Sequence, residues 1–292
     1  VPSERTIAAC RHQTIVRLKS GGVVSAESEA DWFLSELLGI DRPELHLRVR
    51  DAFPSSLKGR LEGWLQDRIQ GRPLQYILGE TEFFSLPFAV TSDVLIPRPE
   101  TELLVEQILH RIGPSDARSG PILDIGTGSG AIAVTLAHSL PRIRVVATDI
   151  SLSAIHIAQQ NAARNGVSDR IAFLCADALC SLRGAQGFSA IVSNPPYIPT
   201  QDLAQLPRDV RLYEPCRALD GGSDGLSTIR RIVSEAAPHL QEAGLLALEV
   251  DSRNAEASKD LVEAQGAYEG ISIQPDMAGR PRMILARKIL VE

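Results

Sequence analysis

The chain has 292 residues, a length that favours two domains over one. Hydrophobic residues make up 44% and charged residues 23%, ordinary for a globular protein and too apolar for a disordered one. The formal net charge is −6, which argues against a protein that grips nucleic acid or anionic lipid through bulk charge. Residues 1–80 carry 11 basic and 11 acidic side chains, so the deficit falls in the remainder of the chain. No apolar run approaches the roughly 18 residues of a membrane helix, and the first residues lack the plan of a signal peptide. Cys10, Cys175, Cys180 and Cys216 form no C-x-x-C pair, and the six histidines form no H-x-x-x-H. Reduced thiols, a cytoplasmic location and no metal are therefore expected.

Residues 4–72 read as a bundle of four or five helices. Ala30, Phe33, Leu34, Leu37 and Leu38 form an apolar stripe that ends at Gly39, and Leu57, Leu61, Trp64, Leu65 and Ile69 form another that ends at Gly71. Residues 75–96 change character. Tyr76-Ile77-Leu78, Phe83-Phe84, Phe88-Ala89-Val90 and Val94-Leu95-Ile96 are short β-prone runs, which suggest a hairpin joining two domains. The expected division is 1–74 helical, 75–97 hairpin linker and 98–292 a second, larger domain. From about residue 100, strands alternate with helices. Strands are expected at 121–125, 144–148, Ile171–Cys175, Phe188–Ser193, 245–250, 270–274 and 282–287, and helices over 130–140, 152–165, 225–239 and 254–265. This is the α/β pattern of a doubly wound, mostly parallel sheet, whose ligands sit at the carboxyl ends of the strands.

The first of these strands runs into Asp124-Ile125-Gly126-Thr127-Gly128-Ser129-Gly130-Ala131. Glycines let the backbone bend sharply and admit a ligand where a Cβ would intrude. Gly126-x-Gly128-x-x-Ala131 fits a dinucleotide turn, and Asp124-x-Gly126-x-Gly128-x-Gly130 fits a turn for S-adenosylmethionine (SAM). In both readings Asp149, at the end of the next strand, can grip a ribose diol. Asp124 behind the turn would suit a sulfonium cation. Asp177 ends the third strand, where a SAM site reads the adenine amino group.

The fourth strand ends in Asn194-Pro195-Pro196-Tyr197. Asn194 Oδ1 and the Pro195 carbonyl can accept the two N–H bonds of a planar amino group, while the Tyr197 ring packs against it. An amide or ring-amino nitrogen is a poor nucleophile. Two acceptors on its hydrogens raise its electron density, and they strengthen as positive charge develops during methyl transfer. That favours an amino-methyltransferase over an NAD-linked oxidoreductase, which would leave the tetrapeptide idle, and over a non-catalytic SAM sensor.

Residues 95–106, 123–133 and 191–198, followed by Tyr213-Glu-Pro215 and Ala218-Leu-Asp-Gly-Gly-Ser-Asp-Gly225, form an ordered set. In this the chain resembles the peptide chain release factor N5-glutamine methyltransferases (the HemK-type enzymes) over almost its whole length. The resemblance implies a Rossmann-like class I SAM methyltransferase domain and an N-terminal domain that docks the substrate. It implies methylation of the glutamine amide in the Gly-Gly-Gln loop of class I release factors, with S-adenosylhomocysteine as the second product and no direct nucleic acid or membrane partner. It implies SAM contacts at Asp124, Gly126, Thr127, Gly128, Ser129, Gly130, Asp149, Asp177, Ala178 and Asn194. Glutamine contacts are implied at Asn194, Pro195, Pro196 and Tyr197, with Arg98 and Thr101 bordering the site. The chain departs from the family pattern at Ala178, where an aromatic often stacks on adenine, and at Glu249-Val-Asp251, where a glycine often follows the hydrophobic residue. No catalysis is expected at the latter. An amino-methyltransferase of adenine or guanine in DNA or ribosomal RNA is the alternative, and the acidic second region speaks against it.

Overall fold

A computed structural model describes residues 6–112, 120–182, 184 and 186–290. Among them the order is α1 (Ile7–Ser20), α2 (Ala26–Leu38), α3 (Arg42–Leu47), α4 (Lys58–Ile69), α5 (Leu74–Leu78), β1 (Glu80–Phe83), β2 (Leu86–Ala89) and α6 (Pro99–Arg111). Then come β3 (Ile122–Ile125), α7 (Ala131–Ser139), β4 (Val145–Asp149), α8 (Leu152–Arg164), β5 (Ile171–Cys175), β6 (Phe188–Ser193) and α9 (Arg208–Tyr213). The chain closes with α10 (Ser227–Ala236), β7 (Leu240–Glu249), α11 (Ala255–Ala264), β8 (Tyr268–Pro275) and β9 (Pro281–Lys288).

The chain divides into two compact units, Val1–Gly79 with Pro207–Tyr213, and Glu80–Leu206 with Glu214–Glu292. The first is helical. Its core collects Ile7, Leu18, Phe33, Leu34, Leu45 and Phe53, all essentially inaccessible. The Thr6 and Asp41 side chains accept the free backbone N–H groups at the starts of α1 and α3, and Gly39 ends α2 in the left-handed conformation. Glu29, buried on α2, takes a two-pronged ion pair from Arg68 on α4, whose guanidinium also donates to the Arg72 carbonyl. A carboxylate at that depth is tolerable because its charge is both paired and hydrogen-bonded.

In the second unit, β5-β4-β3-β6-β7-β9-β8 form one sheet. The first five strands pair in parallel, and β9 and β8 add antiparallel. The chain order reverses outward from β3, so the switch point lies between β3 and β6. There the glycine turn follows β3 and Asn194 follows β6. Every residue of β3 and β6 is buried, the mark of strands covered on both faces. The apolar residues divide between two clusters, one containing α6 and α7 residues such as Leu104, Ile108 and Val134, the other α10 residues such as Ile229 and Ile232.

Three local expectations need correction. Tyr76-Ile77-Leu78 is the end of helix α5 rather than a strand. Gly79 closes that helix at φ +84, and Tyr76 is buried. Three residues without a facing strand gain no ladder bonds, so burial decides the conformation over β propensity. The linker expected from residue 75 thus starts as helix, and the hairpin begins at Glu80. Val94-Leu95-Ile96 is not a strand either, although Val94 and Ile96 are buried. Finally, residues Pro99–Arg111 form helix α6, which the strand–helix alternation of the sequence does not announce. It starts with Pro99 in its first turn and Glu100 and Glu102 at its positive end.

Candidate active site

A cavity of about 870 Å³ opens at the carboxyl ends of β3, β4 and β6. Its lining includes Gly126 to Ser129 after β3, Asp149 to Ser151 after β4, Ala176 to Ala178 after β5, and Asn194 and Pro196 after β6.

The three turn glycines do different work. Gly126 and Gly128 adopt φ +72 and +55, and a Cβ on either would meet nothing within 4 Å. A Cβ on Gly130, at φ +83, would instead lie 3.0 Å from the Ala158 Cβ on α8. The first two keep space open above the turn, and the third allows close helix packing. Asn161 ties this turn to the hairpin. Its amide donates to the carbonyls of Ser129 (2.8 Å) and Ala89 (3.0 Å), and its oxygen accepts from the Ala89 N–H (2.7 Å).

Asp124 is fully buried and does not line the cavity. Its Oδ2 accepts from the Thr127 hydroxyl (2.7 Å) and the Ala133 N–H (3.2 Å), holding the turn and the start of α7, while Oδ1 makes no hydrogen bond. Burial pushes its carboxyl up to about 7, against the opposing pull of those two donors. Its role lies beneath the turn rather than in the ligand space. Gly130, Pro195 and Tyr197 are likewise absent from the lining residues.

Asp149 does line the cavity. Its Oδ2 takes the Gly128 N–H and its Oδ1 the Ser151 N–H, each at 2.9 Å. Each oxygen keeps a second lone pair, enough to accept two ribose hydroxyls. Burial raises its pKa, and the backbone donors work against that. Asp177 accepts from Arg231 Nη1 at 2.7 Å, and both residues line the cavity. Next to it Ala178 sits at φ +50, a conformation unfavourable for a residue with a side chain.

At the other end, Asn194 Nδ2 donates to the Thr101 hydroxyl at 3.0 Å. Thr101, in the first turn of α6, donates to Glu249 Oε2 at 2.7 Å, and the Tyr197 hydroxyl donates to Glu249 Oε1 at 3.2 Å. The Asn194 nitrogen is thereby engaged, and Oδ1 is its open acceptor. Arg98 lines the cavity and pairs with buried Glu214. The segment after Tyr197 is fixed by the glycine loop 220–225. Ile198 bridges Asp220, the Gly221 N–H donates to the Ile198 carbonyl, and a Cβ on Gly225 would meet the Tyr197 carbonyl at 2.5 Å. Close backbone approach explains that glycine.

Sequence reasoning did not assign Arg231, Glu249, Arg217 or the 93–95 segment to this region. Glu249 did leave a signal, a carboxylate directly after the buried apolar run Leu245 to Leu248, which is a costly placement without partners. Among the described residues no cluster of His, Cys, Asp or Glu could hold a metal ion, and no helix is long and apolar enough to cross a membrane.

The cavity suits SAM. It has an open glycine cradle, a cavity-lining carboxylate at the end of β4 and a volume adequate for a nucleoside joined to an amino acid tail. Comparison with known proteins agrees. Residues 9–79 match the PrmC N-terminal domain family and residues 99–206 the Methyltransferase small domain family. A methyltransferase structure from Pyrococcus furiosus shares the fold at TM-score 0.52 and 19% identity, over 81% of this chain and 100% of that one. The release factor glutamine methyltransferase of Bradyrhizobium diazoefficiens is 38% identical, over 98% of this chain and 96% of that protein. That of Moorella thermoacetica is 46% identical over 281 residues, 96% of this chain and 98% of that protein. With such identity along nearly the full length of both proteins, the chain belongs to the release factor glutamine methyltransferase family.

Proposed function

We propose that this protein methylates the side-chain amide nitrogen of the glutamine in the Gly-Gly-Gln loop of class I peptide release factors, in the cytoplasm, and so modulates translation termination. The observation that carries this reading is Asn194. Its nitrogen is engaged by Thr101 and its oxygen is left to receive an N–H from the substrate.

SAM, when bound, supplies an electrophilic methyl group and leaves as S-adenosylhomocysteine. The turn from Gly126 to Ser129 would hold it, with Asp149 on the ribose and Asp177 and Ala178 bordering the adenine. Asn194 Oδ1 and the Pro195 carbonyl accept the two N–H bonds of the glutamine amide, which orients the nitrogen lone pair. Both acceptors strengthen as nitrogen becomes positive, so they lower the barrier more than they tighten ground-state binding. Loss of one N–H proton then restores a neutral, methylated amide, and rising acidity of that proton makes a strong general base unnecessary. Orientation of two bound reactants contributes up to about 7–11 kcal/mol in well-aligned cases. Tyr197, held through its hydroxyl by Glu249, stiffens the segment that carries both acceptors. One glutamine offers little surface for selecting a whole protein, so the helical unit is assigned to docking a folded region of the release factor.

Incubation with labelled SAM and a release factor tests this reading. Label should enter the intact factor and vanish when the loop glutamine becomes alanine. Label that persists on that variant, or enters only RNA or DNA, overturns it.

A further inference from the structure

Glu249 closes β7, where the sequence offers no catalytic expectation. It is 1% exposed and lies beneath the site, reaching Asn194 only through Thr101, 148 residues away in sequence and 4% exposed. The order of donors along this chain carries chemical information. An ionised carboxylate only accepts, so the single Thr101 hydroxyl hydrogen goes to Oε2. Toward Asn194 the Thr101 oxygen then has only a lone pair to offer. The amide nitrogen satisfies it, whereas the amide oxygen would set two acceptors 3.0 Å apart. With Thr101 buried and Asn194 half-buried, an acceptor pair of that kind is unfavourable.

We propose that Glu249 is a positioning residue, which through the Thr101 hydroxyl fixes the face of the Asn194 amide and so presents Oδ1, not Nδ2, to the substrate nitrogen. This rests on the reading of Asn194 as the amide clamp. Protonation of Glu249 removes the lock. A protonated carboxyl can donate to Thr101, freeing the hydroxyl hydrogen to turn toward Asn194, and either amide orientation is then satisfied.

The surroundings put that protonation within reach of ordinary pH. Burial above all, with a smaller push from Glu100 on α6, brings the Glu249 carboxyl up to about 7. The Arg282 guanidinium on β9 and the hydroxyls of Thr101 and Tyr197 pull it down. Asp251, just beyond β7, adds negative charge near the Tyr197 hydroxyl. The clamp is therefore locked above about pH 7 and loosens below it.

Two measurements on the full-length protein test the proposal. The first needs neither cofactor nor substrate. The Asn194 side-chain amide resonance, assigned by its loss in Asn194→Asp, should titrate between pH 6 and 8 in the wild type and stay unchanged over that range in Glu249→Gln. Thr101→Val removes the relay and should abolish the titration even if Glu249→Gln folds poorly. The second is the pH profile of kcat on a release factor. It should fall on the acid side in the wild type, whereas Glu249→Gln should lose that limb and turn over roughly ten- to a hundred-fold slower, with SAM affinity unchanged. Thr101→Ser, which keeps the hydroxyl, should behave as wild type. An Asn194 resonance that does not titrate, or that titrates equally in Thr101→Val, overturns the proposal. Absence of wild-type turnover on the release factor overturns the functional reading instead, and the resonance measurement still decides the role of Glu249.

Discussion

Adding one methyl group to Gly130 should damage the fold, whereas adding it to Gly128 should damage ligand binding. Both positions are left-handed, at φ +83 and +55, so alanine costs about 1–2 kcal/mol of backbone strain at either. At Gly130 the new Cβ would also lie 3.0 Å from Ala158 Cβ and 3.2 Å from its Cα. These atoms belong to helix α8 and cannot swing away as a flexible side chain would. Overpacking of this kind adds about 1–3 kcal/mol. Gly130→Ala should therefore lower the melting temperature by on the order of 10 °C, and Gly128→Ala by only a few degrees. At Gly128 the methyl points into open space that SAM would fill, so its effect should appear as a loss of affinity. Thermal melts and calorimetric titration with S-adenosylhomocysteine separate the two. Equal melting temperatures for the two variants, or undiminished affinity in Gly128→Ala, would refute the division of labour among these glycines.

Asp149→Ala should weaken S-adenosylhomocysteine binding by roughly ten-fold or more, because two charge-assisted acceptors disappear, and calorimetry reads this directly. In the helical unit, Glu29→Ala strands the Arg68 charge and should cost about 3 kcal/mol, seen as a fall in the urea midpoint. Asp124 gives a pH signature. Its folded pKa, about 7, lies above its unfolded value, so the fold binds an extra proton, and the associated stability is lost as pH rises through 7. The melting temperature of Asp124→Asn relative to wild type should accordingly rise between pH 5 and pH 8, and a difference independent of pH would contradict that origin.

Much of this molecule is legible in its sequence because strands buried on both faces leave continuous apolar runs. Leu123, Ile125, Ile191 and Val192 announce β3 and β6 in that way, and the residues that end those strands are the ones at the site. The glycine turn, Asp149 and Asn194 were readable for the same reason, since their chemistry is carried by residue type and by position at a strand end. Asp124 belongs to the same motif, yet its depth was not readable. Only the packing around it reveals that it holds the turn from below. Local propensity misled at Tyr76-Ile77-Leu78, where helical packing overrode β-prone side chains. The pairs Thr101–Glu249 and Arg231–Asp177 were beyond local reasoning altogether. Their members lie 148 and 54 residues apart, and no periodicity links them.

The central claim is that Asn194 activates the substrate amide rather than holding the cofactor. Asn194→Ala tests it most directly, by pairing the affinity for S-adenosylhomocysteine with turnover on an intact release factor. The account predicts affinity within a few-fold of wild type and turnover lower by about 10²–10³. Near-normal turnover, or an equal loss of cofactor affinity and rate, would contradict it.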